Sequence, residues 1–527
     1  MKKKLLNVFA AMFLTLPMMA FDPPMMGWST WNTFALKINE QLIRNQADAM
    51  VKTGLKKVGY QYINIDDGYW NGRGDDNQLR INTQIFPSGM RALSDYIHHL
   101  GLKAGIYSDA GNNSCSSGNM QSWGMNVGLY HHEKEDCELY FNKWNYDFIK
   151  VDYCGGVHLG LNSRDRYTSI HQAILATGRK NVKLNLCYGA YQGTWVSSVG
   201  DSWRVTNDIY CDWYSPRSIP SIIRECLYIS AYTGGGHYSD MDMLEIGRTL
   251  SHDEEITHFG IWCMWSSPLI IGCDLTNIPE FSLNLLKNQE LIAINQDRLG
   301  LMAPVIDRKD EVYVFAKDLK KLHGPQRAVA ITNLSEDPQQ MTLDLGKAGF
   351  EGSVKVRDAV NHQDLPNQTT SFNVSIPAHG TQVFILTGRR NQPIRYEAET
   401  AWLKEYQELN PATDNAHYMP NEIASQGELV RFLGNRPTNY MEWRNVYVKK
   451  SGTYNLTVGY ISPDARQFTL SVNNKQARQL QATNTVNTNS VGTCSTKVYF
   501  RKGFNTVRLS NDKDWAPDID YMDITPN

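Results

Sequence analysis

Across residues 28 to about 300, short apolar runs rich in β-branched residues alternate with longer amphipathic stretches, the rhythm of repeated strand–helix units. The runs read MGWSTW, YQYINIDD, LKAGIYSDA, YDFIKVDY, VKLNLCY, SWRVTNDI, GGHYSD and PLIIGCDL. Each is followed by enough chain for a helix or a loop plus helix. Eight such units predict an α/β fold, a (β/α)8 TIM barrel over residues 24–299. Trp31, Asp66, Asp67, Tyr107, Asp152, Asp208, Asp240 and Asp242 gather at the C-terminal ends of these runs, where such barrels carry their chemistry.

After Asn295, Gln296 and Asp297 the texture changes to strands alone: EVYVFAKDL, RAVAITNL, QQMTLDL, GSVKVRDAV and TQVFILTG, separated by Gly, Pro, Asn and Asp. This predicts an antiparallel β domain over residues 300–390. A polar stretch ending in Pro393 marks a second boundary. Residues 394–527 alternate again in runs such as YMEWRNVYV, GTYNLTVGYI and NTVRLS, as in a β-sandwich.

Composition changes this picture little. Hydrophobic residues make up 42% and charged residues 20% of the 527, with a net charge of -2, which fits a globular chain and implies no nucleic-acid partner. The first twenty residues add more: three lysines, an apolar run, then Pro17 and Ala20 form a secretory leader, expected as a signal peptide over 1–20. The apolar run is too short to span a bilayer and no second candidate follows, so an exported chain, periplasmic or secreted, is expected. Nine cysteines in such a chain permit disulfides and leave at least one thiol over.

Chemistry enters at Phe148-Ile-Lys-Val-Asp152. Side chains alternate along a strand, so Lys150 and Asp152 share a face, and the ammonium is expected to keep the carboxylate ionised. A lone pair of this kind is ordinarily a surface ion pair. A second carboxylate, Asp208, ends a strand two positions further round the barrel, with Arg204 in the same segment. Two carboxylates flanking a glycosidic bond are the machinery of glycoside hydrolysis. One must keep its proton near neutrality, so Asp208 is expected in a drier, more anion-rich setting than Asp152.

MGWSTWNTF, INIDDGYW, GIYSDAGNNSC, FIKVDYC, SWRVTNDI, GGHYSDMDMLEIG and HFGIWCMWSSPLIIGCDL, in that order, resemble the melibiase-type retaining α-galactosidases, family 27 of the glycoside hydrolases. The resemblance implies Asp152 as nucleophile and Asp208 as acid/base, with no cofactor. It implies that Trp31 forms the floor under the sugar and that Asp66 and Asp67 accept hydrogen bonds from the 4- and 6-hydroxyls. Tyr107, Lys150, Cys187, Tyr188, Arg204 and Asp242 would complete the pocket. It further implies a Cys115–Cys154 disulfide, with free thiols elsewhere in the barrel, and α-galactoside glycans as partners. Two related activities, α-N-acetylgalactosaminidase and β-L-arabinopyranosidase, are alternatives; a non-catalytic sugar-binding protein is a remote one.

The chain departs from the family's pattern after the fifth strand, where Cys187-Tyr188-Gly189 replaces the usual Cys-Glu-Trp and the loop looks shorter. Tyr188 is expected either to aim into the pocket and bond the 2-hydroxyl, the favoured pose, or to turn away and leave Gly189 and Ala190 to make room. In the last region, Tyr396-Glu397-Ala-Glu399 and Asp520-Tyr521 resemble carbohydrate-binding sandwiches that open with YEAE and hold a structural calcium. That resemblance implies Glu397, Glu399 and Asp520 as ligands, while Trp515 and Asn511 are expected as a stacking platform and its polar partner.

Overall fold

The computed structural model describes residues 22–116, 125–407, 414–485 and 489–527, so the leader expected over 1–20 lies outside them. Eight parallel strands form the first region: Met26–Ser29, Tyr62–Asn64, Lys103–Asp109, Phe148–Asp152, Lys183–Leu186, Ser202–Arg204, Tyr238–Asp240 and Leu269–Ile271. Each falls inside a run read from the sequence. The eighth strand lies beside the first and the others follow in chain order. The ring closes past the seventh strand, where Leu244 bridges in parallel to Ile271. Between strand and bridge the chain passes through Asp242 at φ 75°, a left-handed conformation that is uncommon away from glycine. That turn carries the Asp242 carboxylate at the seam of the barrel.

Alternation explains what each strand does. In the fourth strand Ile149 and Val151 are fully buried toward the surrounding helices, so Lys150 and Asp152 face the barrel interior. Helices Glu40–Lys52, Gly89–His99, Ser163–Ala176 and His252–Met264 pack outside. The last begins at a capping box in which Ser251 and Glu254 exchange hydrogen bonds, a device whose loss costs about 1 kcal/mol. The fifth unit breaks the pattern. Between Leu186 and Ser202 the only helical element is the short 3-10 turn Val196–Ser198, because VKLNLCYGAYQGTWVSSVG has three glycines and no apolar stripe long enough for a helix.

The second region stacks a six-stranded antiparallel sheet on the pair Gln339–Asp344 and Ser371–Ile376, enclosing its own core of Val314, Val329, Leu343 and Phe384. The third holds two antiparallel sheets. In one, Asp518–Pro526 pairs with Arg395–Glu397 and Gly452–Ile461; in the other, Met441–Val448 and Arg466–Val472 flank Gly503–Ser510. Its apolar core is continuous with that of the barrel.

Candidate active site

Asp152 ends the fourth strand, and its Oδ2 accepts a hydrogen bond of 3.1 Å from the hydroxyl of Tyr107 on the third. Tyr107 is itself fixed from behind, since Tyr69 donates to its carbonyl at 2.9 Å and Trp70 packs 5.8 Å away. Burial pushes the Asp152 carboxyl up; Lys150 opposes this, the charges of Asp208 and Asp66 add to it, and the net shift is upward. Lys150 was expected to serve Asp152 directly. Its Nζ instead pairs with Asp66 at 3.0 Å, while acting on Asp152 through space. The reason is geometric: Asp66 ends the neighbouring second strand, and its Oδ2 presents itself to the ammonium. Burial disfavours the Lys150 charge, but Asp66, Asp152 and Asp242 outweigh it and hold the proton on.

Asp208 corrects a second expectation. It is not the drier acid: its side chain is 60% exposed, and both terminal nitrogens of Arg204 reach Oδ1 at 3.3 Å. Burial pushes its carboxyl up, yet Arg204 and Lys150 prevail and hold it below the usual range. The anion-rich, drier setting belongs to Asp152. A sugar lying across the mouth would shield Asp208 from water and shift the balance toward its protonated form.

Arg204 is buried and committed on both sides. It pairs with Asp242 at 2.9 Å, and Asp242 also accepts from the backbone N–H of Ile209 at 2.8 Å. The left-handed turn at Asp242 thus fixes both the arginine and the segment that carries Asp208. Burial lifts the Asp242 carboxyl to about 6 despite Arg204.

Asp66 and Asp67 divide their labour. Asp66 accepts from Lys150 and from the N–H of Asp67. Asp67 uses Oδ2 for the N–H and hydroxyl of Ser116 at 3.1 and 2.6 Å, and its buried Oδ1 has no partner among the described residues. Burial raises its carboxyl to about 6. An oriented, unpaired acceptor in a buried site is where a hydroxyl donor fits. Trp31 opens the short helix Trp31–Phe34 after the first strand and is half-buried there.

The loop after the fifth strand places Cys187 inward, its Sγ 3.8 Å from Arg204. Burial, with the charge of Asp152, pushes that thiol up, so it stays neutral. Tyr188 takes the turned-away pose, against the favoured expectation. Its ring lies 4.8 Å from Tyr153, which packs 5.3 Å from Tyr167 on the outer helix Ser163–Ala176. Packing on the Tyr153 ring buries more apolar surface than a hydrated pocket offers. Gly189 lies against the tip of Asn207: a Cβ there would sit 2.7 Å from Asn207 Oδ1 and require that side chain to shift.

One contributor went unread in the sequence. Asp109 is wholly buried and accepts from the N–H groups of Gly111 at 2.6 Å and Gly155 at 3.1 Å, tying the loops after the third and fourth strands together. Burial raises it to about 7, with the charge of Asp152 next in weight. Those loops approach so closely that a Cβ on Gly111 would lie 2.0 Å from the Gly155 carbonyl carbon. The Cys115–Cys154 disulfide joins the same loops, and the other seven cysteines are free thiols. The signal was present: Asp109 stands two residues after Tyr107, on the same strand face.

In the third region Asn511 is not held out for a ligand. Its Nδ2 donates to the Gln467 carbonyl at 2.7 Å and its Oδ1 accepts from the N–H groups of Lys513 and Asp514, because Asn readily closes its own turn. Trp515 is half-buried, edge-on to Phe432, at the rim of a polar cleft of 860 Å³ shared with Arg466, Gln467 and Gln481. Glu397, Glu399 and Asp520 each retain one buried oxygen without a partner. Burial raises Glu397 to about 7 and Asp520 to about 6, and lifts Glu399 well above its usual value. They do not form a closed three-point cage: among the described residues only Asp109, Cys115 and Cys154 bring ligand atoms within 4.8 Å of one another, and those sulfurs are spent in the disulfide.

A (β/α)8 barrel with coupled carboxylates, an arginine and a lysine converging on its mouth defines the class of glycoside hydrolases. Residues 23–297 match the melibiase model described as alpha galactosidase A, and residues 309–386 match the alpha galactosidase C-terminal beta sandwich domain. Alpha-galactosidase 3 of Arabidopsis thaliana is 38% identical over 371 residues, 69% of this chain and 82% of that protein. Alpha-galactosidase A of Cellvibrio japonicus is 36% identical over 388 residues, 69% and 92% of the two. The crystal structure of alpha-galactosidase I from Mortierella vinacea superposes with a TM-score of 0.65 at 30% identity, covering 70% of this chain and 98% of that one. The chain belongs to the melibiase-type α-galactosidase family.

Proposed function

We propose that the protein is an exo-acting α-galactosidase that removes terminal α-D-galactosyl residues from oligo- or polysaccharides with retention of configuration. One observation carries this reading: Asp152, oriented by Tyr107, is electrostatically coupled to Asp208, held by Arg204, within one mouth that also contains the Lys150–Asp66 pair. The Asp152 carboxylate attacks C1 while Asp208 gives its proton to the departing glycosidic oxygen, leaving a galactosyl ester on Asp152. Asp208, now a base, takes a proton from water; the water oxygen attacks C1 and frees Asp152. The free acceptor on Asp67 and the carboxylate of Asp66 would take the 4- and 6-hydroxyls, which a sugar of different configuration leaves unmatched.

One observation favours a second reading. With Tyr188 turned away, Cys187 and Gly189 leave the C2 side less filled than an inward ring would, which is the arrangement an α-N-acetylgalactosaminide needs. Comparing kcat/KM on nitrophenyl α-galactoside, α-N-acetylgalactosaminide and β-L-arabinopyranoside tests both. A preference for the acetamido sugar overturns the first reading, a preference for the pentoside removes the 6-hydroxyl assignment, and no turnover of any supports a non-catalytic binder.

The lysine-led first twenty residues support export, and among the described residues no helix is long and apolar enough to cross a membrane. The unpartnered oxygens of Glu397, Glu399 and Asp520 suit a hard cation such as calcium, which would neutralise them and tie both ends of the sandwich together. The cleft beside Trp515 would accept a glycan on Gln467, Gln481 and the ring face. Retention of the intact protein on immobilised galactomannan, lost in Trp515→Ala, tests that site; equal retention of both removes it.

A further inference from the structure

The missing helix of the fifth barrel unit leaves a gap in the outer ring, and the third region fills it. Tyr406 stacks on Tyr232 at 4.9 Å and on Tyr191 at 5.6 Å, with interplanar angles of 16° and 25°. Tyr191 belongs to the loop after the fifth strand, and Tyr232 to the connection that enters the seventh. Tyr418 adds a third ring 5.1 Å from Tyr406, and its hydroxyl pairs with that of Tyr232 at 3.0 Å. The Tyr232 hydroxyl also accepts from the N–H of Leu403 at 3.1 Å. Thr194 in the loop donates to the Lys404 carbonyl at 3.0 Å. A Cβ on Gly193 would stand 3.6 Å from the Tyr406 carbonyl oxygen, so backbone meets backbone here. Tyr191 is 1% exposed and Tyr232 7%, burial to which the sandwich contributes.

From this seam we infer that the C-terminal sandwich is a working part of the catalytic site, and that Tyr406 is a positioning residue for recognition at the sugar's C2. The inference rests on the proposed α-galactosidase reading. On its inner side the loop is held by the Cys187 N–H to the Val151 carbonyl at 2.9 Å, by the Cys187 Sγ beside Arg204 and by the Tyr188 ring on Tyr153. Three residues separate Cys187 beside Arg204 from Tyr191 beneath Tyr406. A helix would hold such a loop through its own hydrogen bonds; this one is held by rings from another domain. Asp66 and Asp67, on the opposite arc of the barrel, do not share the seam.

Full-length Tyr406→Ala provides the test, with Tyr406→Phe keeping the ring. The C2 readout is the ratio of kcat/KM for nitrophenyl α-galactoside over its 2-deoxy analogue; the C6 readout is the ratio over nitrophenyl β-L-arabinopyranoside. The alanine variant is expected to lose C2 discrimination by about fivefold or more, because a shifted loop no longer matches the 2-hydroxyl, while C6 discrimination stays within about twofold. Tyr406→Phe restores the first ratio. Amide hydrogen exchange over residues 188–198 is expected to quicken in the alanine variant and not in the phenylalanine one. Unchanged exchange there, or equal loss of both ratios, overturns the inference. Should the alanine variant fail to fold, Tyr418→Phe, which removes one hydroxyl from the seam, gives the same pattern at smaller amplitude, and no change in either readout then overturns it. An unmodified enzyme inactive on α-galactosides sinks the proposed function alone, since the exchange measurement still decides the seam.

Discussion

Two groups of acids sit in this chain and are compensated in different ways. At the barrel mouth, Asp66 has Lys150, and Asp208 and Asp242 share Arg204, so three of the acids stand in ion pairs without any ligand. In the sandwich, Glu397, Glu399 and Asp520 form no ion pair among the described residues; the nearby Arg395 is taken by Asp523 at 2.7 Å. The first arrangement receives a neutral sugar with little reorganisation. The second holds buried oxygens without partners, and burial raises their carboxyls toward the protonated form. Burial alone therefore does not make acids catalytic; the partners decide.

The largest expected effect comes from breaking the compensated group at its centre. Asp152→Asn is expected to lower kcat by about 10⁴-fold or more, since no ester can form. Asp208→Asn is expected to lose about 10²–10⁴-fold on substrates with poor leaving groups and far less on activated aryl galactosides, which need no proton. Equal losses on both substrate types would remove the acid role from Asp208. Asp67→Ala, which leaves a substrate hydroxyl unpaired, should cost about 10–100-fold in kcat/KM for the galactoside; unchanged turnover would clear Asp67 of hydroxyl recognition.

The pH profile sharpens the same contrast. Because Arg204 holds Asp208 low, the free enzyme loses its acid early, and kcat/KM is expected to fall on the alkaline side from an acidic optimum, below about pH 7. A bell centred above that value would contradict the Arg204 effect. In the sandwich the sign differs. Glu397 and Asp520 move from 4.5 and 3.8 up to about 7 and about 6 on folding, so in chelator their contribution to stability is present below the lower values and lost as pH rises through the higher ones. Calcium at about 100 times its Kd should reverse this loss near neutrality, raising Tm by a few degrees in calorimetry. The same Tm with and without calcium at pH 7.5, and no fall in chelator from about pH 5, would show that these acids are compensated in some other way.

Much of this was legible in the sequence, and the misses share a cause. Strand runs could be read because alternation and β-branching are local signals, as in FIKVDY. The edge strand Gln363–Gln368 was not, being polar and interrupted by Pro366, which only an edge tolerates. Asp152 and Arg204 could be found from strand ends, whereas Asp208, expected to end a strand, lies in the loop past the strand Ser202–Arg204. Their electrostatics could not, since Lys150 chooses Asp66 through a neighbouring strand and Arg204 reaches Asp208 and Asp242 together. Tyr188 turned away because Tyr153, distant in sequence and backed by Tyr167, offers it a better surface. Asn511 likewise answers to the turn it sits in.

The anomer released first tests the central claim most directly. Proton NMR during early hydrolysis of nitrophenyl α-galactoside, before mutarotation, should show α-galactose, as expected for two displacements at C1. Initial release of β-galactose would mean a single displacement by water and would contradict the assignment of Asp152 as nucleophile.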